Sequence, residues 1–575
     1  MAKNSFDGAY ALLEAASFGG IDTTATFGEG GECSEMRNFR VLSDGSLEKR
    51  CGYGLAVEMD GEIRALWSGV IDDVDTVMVV VGYEVFSILG EGTSKVKIGE
   101  IVGETGDISF FRMDGGLYII DGVGMYLCTR DSVSLVGEGY VPLYGVGWGG
   151  GGGVVNEPMN QLSRRIRLNY ILDQDSRLSL ETGLKISSIE KVTVNGEDVT
   201  AKVSIDRTLL RFSGNLLYKG DIINALVTLD NSYFEIMELF SCRYAAVYGG
   251  RYDNGVYCFG GNDGSRVFRS KYVGTAALND ARSVAVGCSG LYFPVGYDFK
   301  VDDGHTEVRA VCRHYDRLLL FGYNDTRVND LGDAAQRDIP VMPVNSGVGC
   351  RDTRGVALCE NDPVTVSRDG IYRWTSNTDE RDESNAELIS RPVAAFIDEK
   401  FLSGARAFNC RSKREMWFGN PDDEGGLILV YNYDLGIWYC FDGIFADEFF
   451  SFGGKVGFYS GASVYLFGDD EYSDCGREIV GEFVSRYSDM GRSAGIKRMQ
   501  RCLAVGSGIG NFSVEFRNDE GRVVCNVDFV GRAGRGADCQ ERILRTGRFS
   551  YIKYRITAPG KVRQRIYGIT LVAGK

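Results

Sequence analysis

His305 and His314 are the only imidazoles in this chain, so a histidine-based metal centre or a Ser-His-Asp triad has little to draw on. His314, in CRHYDRLLLF, sits beside an apolar run and reads as a strand residue rather than a general base. Fifteen cysteines offer metal or disulfide chemistry only if their spacing permits it. No C-x-x-C occurs, and most lie inside apolar stretches such as VYCFGG and LGIWYCF, the pattern of buried thiols in a reducing compartment. Carboxylates are abundant, 79 Asp+Glu, and two of them at glycosidase spacing is a pairing that composition leaves open. No G-x-S-x-G, H-E-x-x-H or EF-hand loop is present. The glycine run in GVGWGGGGGVVNEPMN (145–160) could cradle a phosphate if a helix followed it with G-K-[ST]. Val154, Val155 and Asn156-Glu157-Pro158 follow instead, and the run reads as a flexible linker. These residues assign no reaction, no metal and no cofactor.

The elements around them are strands. Seventy-seven glycines against nine prolines, with 30 Tyr and 31 Phe, predict many short strands joined by tight turns. Seven stretches repeat one order of apolar strand, Gly or Asp turn, and aromatic strand: 62–89, 107–129, 242–272, 307–326, 355–376, 404–442 and 447–471. Their spacing and turns, among them Asp114-Gly115, Asn254-Gly255 and Asp369-Gly370, predict an all-β β-propeller of about seven blades. SRDGIYRW (367–374) approaches an Asp box, and YGGRYDNGVYCFGG (248–261) a kelch double glycine; both read as ordinary blade turns. The alternating stretch 188–229 predicts an inserted β-sandwich-like domain, with Arg164, Arg165 and Arg167 as a basic sheet edge. The stretches 498–529 and 548–574 predict a C-terminal β-sandwich. The domain plan is therefore an N-terminal arm and first blades at 1–155, the insertion at 156–232, the remaining blades at 233–478 and the sandwich at 479–575. The N-terminus lacks the apolar core of a signal peptide, and VDTVMVVVGYEVFSIL is too short and too interrupted to span a bilayer.

Charge is distributed unevenly. From 481 onward 18 Lys+Arg stand against 8 Asp+Glu, a net of +10; the chain totals −16, so the first 480 residues carry −26. So acidic a body is a poor nucleic-acid binder. The basic tail reads as a docking face for an acidic neighbour, such as the body of another copy.

The segment MRNFRVLSDGSLEKRCGY (36–53) fits neither an active site nor a solvated loop. Its order of Asn38, Arg40, Asp44-Gly45, Leu47, Lys49-Arg50 and Gly52-Tyr53 resembles the N-terminal signature of the tail nozzle or hub propellers of short-tailed bacteriophages, also known as stabilisation or tubular tail proteins. Cys51 stands where that signature commonly has proline. LYFP (291–294), GVGC (347–350), LVYNYDLGIWYCFDG (429–443) and MGRSAGIKRM (490–499) are similar to the same family in the same order. The resemblance implies a structural, non-enzymatic virion protein: a ring, usually of six copies, below the portal and adaptor proteins. Tail fibres or needles are possible further partners. DNA is retained in and ejected through the lumen without sequence-specific binding, which a negative wall favours. Assembly would take place in the host bacterial cytoplasm. Within the signature, Lys49-Arg50 is expected to pair with the acidic body while Gly52-Tyr53 turns the chain into the first blade. The plainer expectation is that the segment lends an early strand to a late blade. Two rival functions are a receptor-binding or baseplate protein that binds cell-wall glycan, and a propeller carbohydrate hydrolase or lyase with acids at the channel mouth.

Overall fold

The structure is a computed structural model that describes residues 6–7, 10–29, 31–89, 94–113, 115–136, 139–148, 154–174, 178–214, 217–231, 236–248, 255–271, 292–301, 305–315, 317–330, 341–375, 385–491, 495–508, 510–531, 537–544 and 547–574. Asp114, Asn254, Leu291 and the glycine run 149–153 lie outside the described residues.

Seven groups of four antiparallel strands form the propeller. Blade 1 comprises Ile63–Ile71, Val74–Val81, Glu84–Leu89 and Ser94–Glu100, each hydrogen-bonded to the next. Its first turn is Asp72-Asp73, with φ of 48° and 60°, the left-handed pair whose twist matches that of a hairpin. The innermost strands of blades 2 to 6 are Ser109–Met113, Tyr244–Tyr248, Ala310–His314, Val356–Cys359 and Arg406–Cys410. Blade 7 takes Glu448–Phe452, Lys455–Ser460 and Ser463–Phe467 from late in the chain, and Tyr53–Glu58 from early in it. Tyr53 pairs with Phe467 and Glu58 with Ser463. Gly52-Tyr53 thus leads into the last blade, not the first: the early strand closes the ring. Inner strands touch in order from blade 2 to blade 7, and blade 7 touches blade 1. Blades 1 and 2 share a core of Ala65, Met78, Ile108 and Ile119. Strands such as Gly255–Phe259 and Glu415–Gly419 are buried at every residue, because each small sheet covers both faces only by radial stacking.

Between blades 2 and 3 stand two packed sheets. One has the order Val154–Val155, Leu143–Trp148, Arg165–Ile171, Ile222–Leu229, Ile186–Val194 and Glu197–Asp198; the other is Ser179–Glu181, Leu209–Phe212 and Val203–Asp206. Ile166, Leu168, Tyr170, Leu180, Leu210 and Val227 fill the space between them. Two expectations change here. Leu143–Trp148 belongs to this sheet and pairs with Val154–Val155, so the glycine run joins two paired strands rather than separating domains, and the insertion begins before residue 156. Arg165–Ile171 is an interior strand, not an edge. Its parallel partner comes from beyond the glycines, where no local pattern could announce it. Arg165 is paired with Glu190, and Arg167 is buried with its Nε donating to the Val141 carbonyl at 3.0 Å.

The C-terminal sandwich incorporates the N-terminal arm. One sheet runs Phe6–Asp7, Tyr10–Ala15, Gln564–Gly574, Arg498–Gly508 and Asp538–Ile543, with the Phe39–Val41 and Leu47–Lys49 hairpin joined to Gln564–Gly574. The other runs Cys33–Arg37, Gly481–Ser485, Ile552–Ala558, Phe512–Asn518 and Val523–Phe529. It continues blade 6, through Cys33–Arg37, into a nine-stranded sheet. One core joins them, from Phe39 and Phe483 to Trp417, Trp438 and Phe516, and each such side chain contributes about 2–3 kcal/mol by burial. The arm is therefore part of the terminal body, not of the first blades. The basic tail, too, meets an acidic neighbour in its own chain. Arg486 pairs with Asp22 (2.5 Å) and Glu32 (2.8 Å), Arg565 with Asp44 (2.5 Å) and Arg563 with Glu48 (2.5 Å). Among the described cysteines ten are buried, and all are free thiols.

Candidate functional site

The signature residues meet at the seam between the arm, blades 6 and 7 and the terminal body. Asn38 follows the short strand Cys33–Arg37 in the left-handed conformation, φ 57°, which asparagine tolerates better than most residues. Its amide N–H donates to the Asp442 carboxylate and, at 3.0 Å, to the Val480 carbonyl. Its side-chain oxygen accepts from Arg50 Nε (2.8 Å) and from the Asp442 backbone N–H (3.1 Å). Arg50, 1% exposed, makes a bidentate pair with Asp474 (2.9 and 2.5 Å) and donates to the carbonyls of Asp442 (3.0 Å) and Cys51 (3.1 Å). Every donor of the guanidinium is occupied, which is what makes a buried charge tolerable.

Arg40 reaches from the hairpin into blade 6. Its Nε donates to Glu415 Oε1 at 2.8 Å, and its guanidinium lies 4.9 Å from the Phe441 ring centroid. Glu415 also accepts from Trp417 Nε1 (2.8 Å) and the Tyr439 hydroxyl (2.7 Å). Burial works against the charge on Arg40, but the Glu415 carboxylate outweighs it and holds the guanidinium pKa above its usual range. Lys49 is buried, and among the described residues only the Gly560 carbonyl receives its ammonium; burial lowers its pKa from 10.5 to about 8, with Glu478 opposing.

Two glycines let these segments approach. Gly45, φ 78°, turns the hairpin, and a Cβ there would lie 2.3 Å from Ser17 Oγ. A Cβ on Gly52 would lie 2.1 Å from the Ser473 carbonyl oxygen, because residues 471–475 cross directly over it. Tyr53 donates its hydroxyl to the Gly443 carbonyl at 3.0 Å and packs edge-on against Phe458, Tyr465 and Phe467. Cys51 sends its thiol to the Asp469 carbonyl, 3.4 Å away. All seven signature residues (Asn38, Arg40, Gly45, Lys49, Arg50, Gly52 and Tyr53) are thus brought to this seam. Asn38, Lys49 and Arg50 are too buried to touch a second chain. The partners Glu415, Asp442 and Asp474 were not anticipated; each is a lone carboxylate hundreds of residues from the signature, with no pattern to mark it.

A second polar assembly lies on the propeller axis, where the inner strands leave a cavity of about 310 Å³ opening to solvent. The loop entering blade 2 crosses this end of the ring. Arg64 of blade 1 donates to the carbonyls of Gly103 (2.6 Å) and Gly106 (2.9 Å), and Arg243, just before blade 3, to that of Thr105 (3.3 Å). Asp107 at the end of the loop accepts from the Tyr244 hydroxyl of blade 3 and from Arg354 beside blade 5, so a single carboxylate ties three blades together. Glu448 of blade 7 also lines the cavity. Burial pushes its carboxyl pKa up against the pull of Arg354 and Arg406, and its bond from the Tyr459 hydroxyl is long, 3.4 Å. Nothing in the sequence singled out Asp107, Arg354 or Glu448. Ser367–Gly370 closes a hairpin by a backbone bond of 2.8 Å, and His314 ends the inner strand of blade 4.

No family model matches the chain, and no curated protein matches it. Among solved structures it is similar to the AfRom2 CNH domain, at 5% identity and a TM-score of 0.35, over 72% of this chain and 99% of that one. It is similar to BBS1N, solved in complex with ARL6DN, at 8% identity and a TM-score of 0.25, over 73% and 98%. Hsv2 of Kluyveromyces lactis follows at 10% identity and a TM-score of 0.26, over 67% and 98%. Scores of this size carry no argument about the role of this chain; its propeller rests on its own sheet order.

Proposed function

We propose that this chain is a structural, non-enzymatic subunit of a bacteriophage tail. It would form a ring, of six copies in the family it resembles, as a nozzle or hub below the portal and adaptor, with DNA held in and released through the lumen between copies. The observation that carries this reading is the inward-facing signature: the residues behind the resemblance weld arm, last blade and terminal body into one unit, the rigidity a pressurised conduit needs. Charge supports it. Residues 10–50 carry 4 Lys+Arg and 7 Asp+Glu, so with the +10 from 481 onward the terminal body stands at +7, leaving −23 for the rest of the −16 chain. The strongly acidic part repels a phosphate backbone, and the basic part offers a face to its acidic counterpart in the next copy. A propeller bore of about 310 Å³ holds a small molecule and cannot thread a duplex, so the conduit is the ring's lumen. Asp107, with both oxygens occupied by Tyr244 and Arg354, is ill suited to act as a nucleophile, which favours the structural reading over a hydrolase.

Immunogold electron microscopy of lysate particles, with antibody to the terminal body, tests this. Gold on the tail below the capsid is the expected result. Bare particles, with accessible antigen free in the lysate, would overturn the reading.

A further inference from the structure

We propose that the axial cavity of the propeller is a socket for one neutral sugar ring, a pyranose at the end or branch of a glycan. The inference stands apart from the tail assignment and rests on which polar groups of the cavity the protein leaves unused. Arg64 donates to three backbone carbonyls, and the carboxylates of Asp107 and Glu448 stand against the guanidiniums of Arg354 and Arg406, so an anion would enter against two carboxylates. Glu448 feels the charges of Arg354, which lines the cavity, and of Arg406, so an organic cation would enter against two guanidiniums. A neutral group that donates hydrogen bonds has no such opposition. Glu448 can accept from it, since its one long bond at 3.4 Å leaves most of its acceptor capacity free.

The rest of the lining fits the same ligand. The Trp67 indole N–H and the hydroxyls of Ser109 and Thr353 find no partner among the described residues, and all three residues face the cavity. Trp67 lies back across Gly69, where a Cβ would sit 2.6 Å from its ring, so the strand keeps glycine at the one place that seats the indole. Trp67 and Phe110 supply the apolar surface on which the C–H face of a sugar stacks, while unpaired donors and a carboxylate stand at its rim. About 310 Å³ is the lower end of the range for small-ligand pockets and suits a single ring rather than a chain.

The test uses the full chain with glucose, galactose, rhamnose and N-acetylglucosamine as probes, read by saturation-transfer NMR at up to about 10 mM, where a Kd of about 1 mM is readily detected. At least one sugar is expected to receive saturation on its ring protons. Glu448→Gln, which keeps the shape, should weaken that binding about tenfold. Trp67→Ala should abolish it. If Trp67→Ala does not fold, Glu448→Gln alone decides, provided its melting curve matches that of the parent. The proposal is overturned if none of the four sugars binds, or if Glu448→Gln leaves the binding unchanged.

Discussion

The seam around Arg50 and the cavity around Glu448 are built from the same materials and end in opposite states. Both gather arginines and carboxylates where distant stretches of chain converge. At the seam the guanidinium of Arg50 is wholly engaged, by Asp474, Asn38 and two backbone carbonyls, and water is excluded. In the cavity Asp107 is similarly satisfied, but Glu448, Trp67, Ser109 and Thr353 keep capacity that the protein does not use. A polar cluster that consumes its own hydrogen bonds holds a fold together. One with a remainder can hold something else.

The sharpest way to break this contrast is Arg50→Ala. It strands the Asp474 carboxylate inside the seam, takes one of two donors from the Asn38 side-chain oxygen, and should cost about 3–5 kcal/mol in urea unfolding. A loss below about 1 kcal/mol would mean the seam is not what joins arm to body. Asp107→Asn should cost only about 1 kcal/mol in the same assay, because the pair it weakens borders open water. Equal losses at the two sites would erase the distinction.

Lys49→Met gives an effect of the opposite sign. The folded pKa of Lys49 lies at about 8 against 10.5 ordinarily, so below pH 8 both states carry the charge and the folded protein bears its burial. The variant should then be more stable than the parent at pH 7, by up to about 3 kcal/mol. That advantage should shrink from pH 8 to 10.5 and vanish above it, as the unfolded chain also loses the proton. Only the difference between the two proteins is informative. Both lose stability above pH 9, because buried thiols such as Cys128, Cys242, Cys440 and Cys502 are pushed up to about 12 by burial while unfolded thiols ionise near 9.

What the sequence disclosed was local. Blades were legible because most of their strands pair with neighbours a few residues away through turns such as Asp369-Gly370; the strand that closes blade 7 is the exception. The arm was not, since Tyr10–Ala15 pairs with residues 569–574 and Cys33–Arg37 with residues 482–485, and alternation says nothing about a partner so distant. For the same reason the sequence placed Lys49 and Arg50 against an acidic body but named no partner and gave no sign of their burial. A Lys-Arg pair beside a turn is ordinarily solvated, and only the arrival of residues 471–475 and 560 buries it. Glu448 looked like one more strand-end carboxylate among 79 Asp+Glu, and its position on the axis is a property of the closed ring rather than of its neighbours.

Ring closure by Tyr53–Glu58 also fixes an order of events during synthesis. The strand emerges from the ribosome about four hundred residues before Ser463–Phe467, its one sheet partner among the described residues. At about 5–20 residues per second that is a wait of roughly 20 to 80 s, while six blades can fold in turn behind it. Among the first strands translated are thus some of the last to be paired, and throughout that interval the nascent chain carries an unpaired strand that a second nascent copy could meet before its own last blade exists.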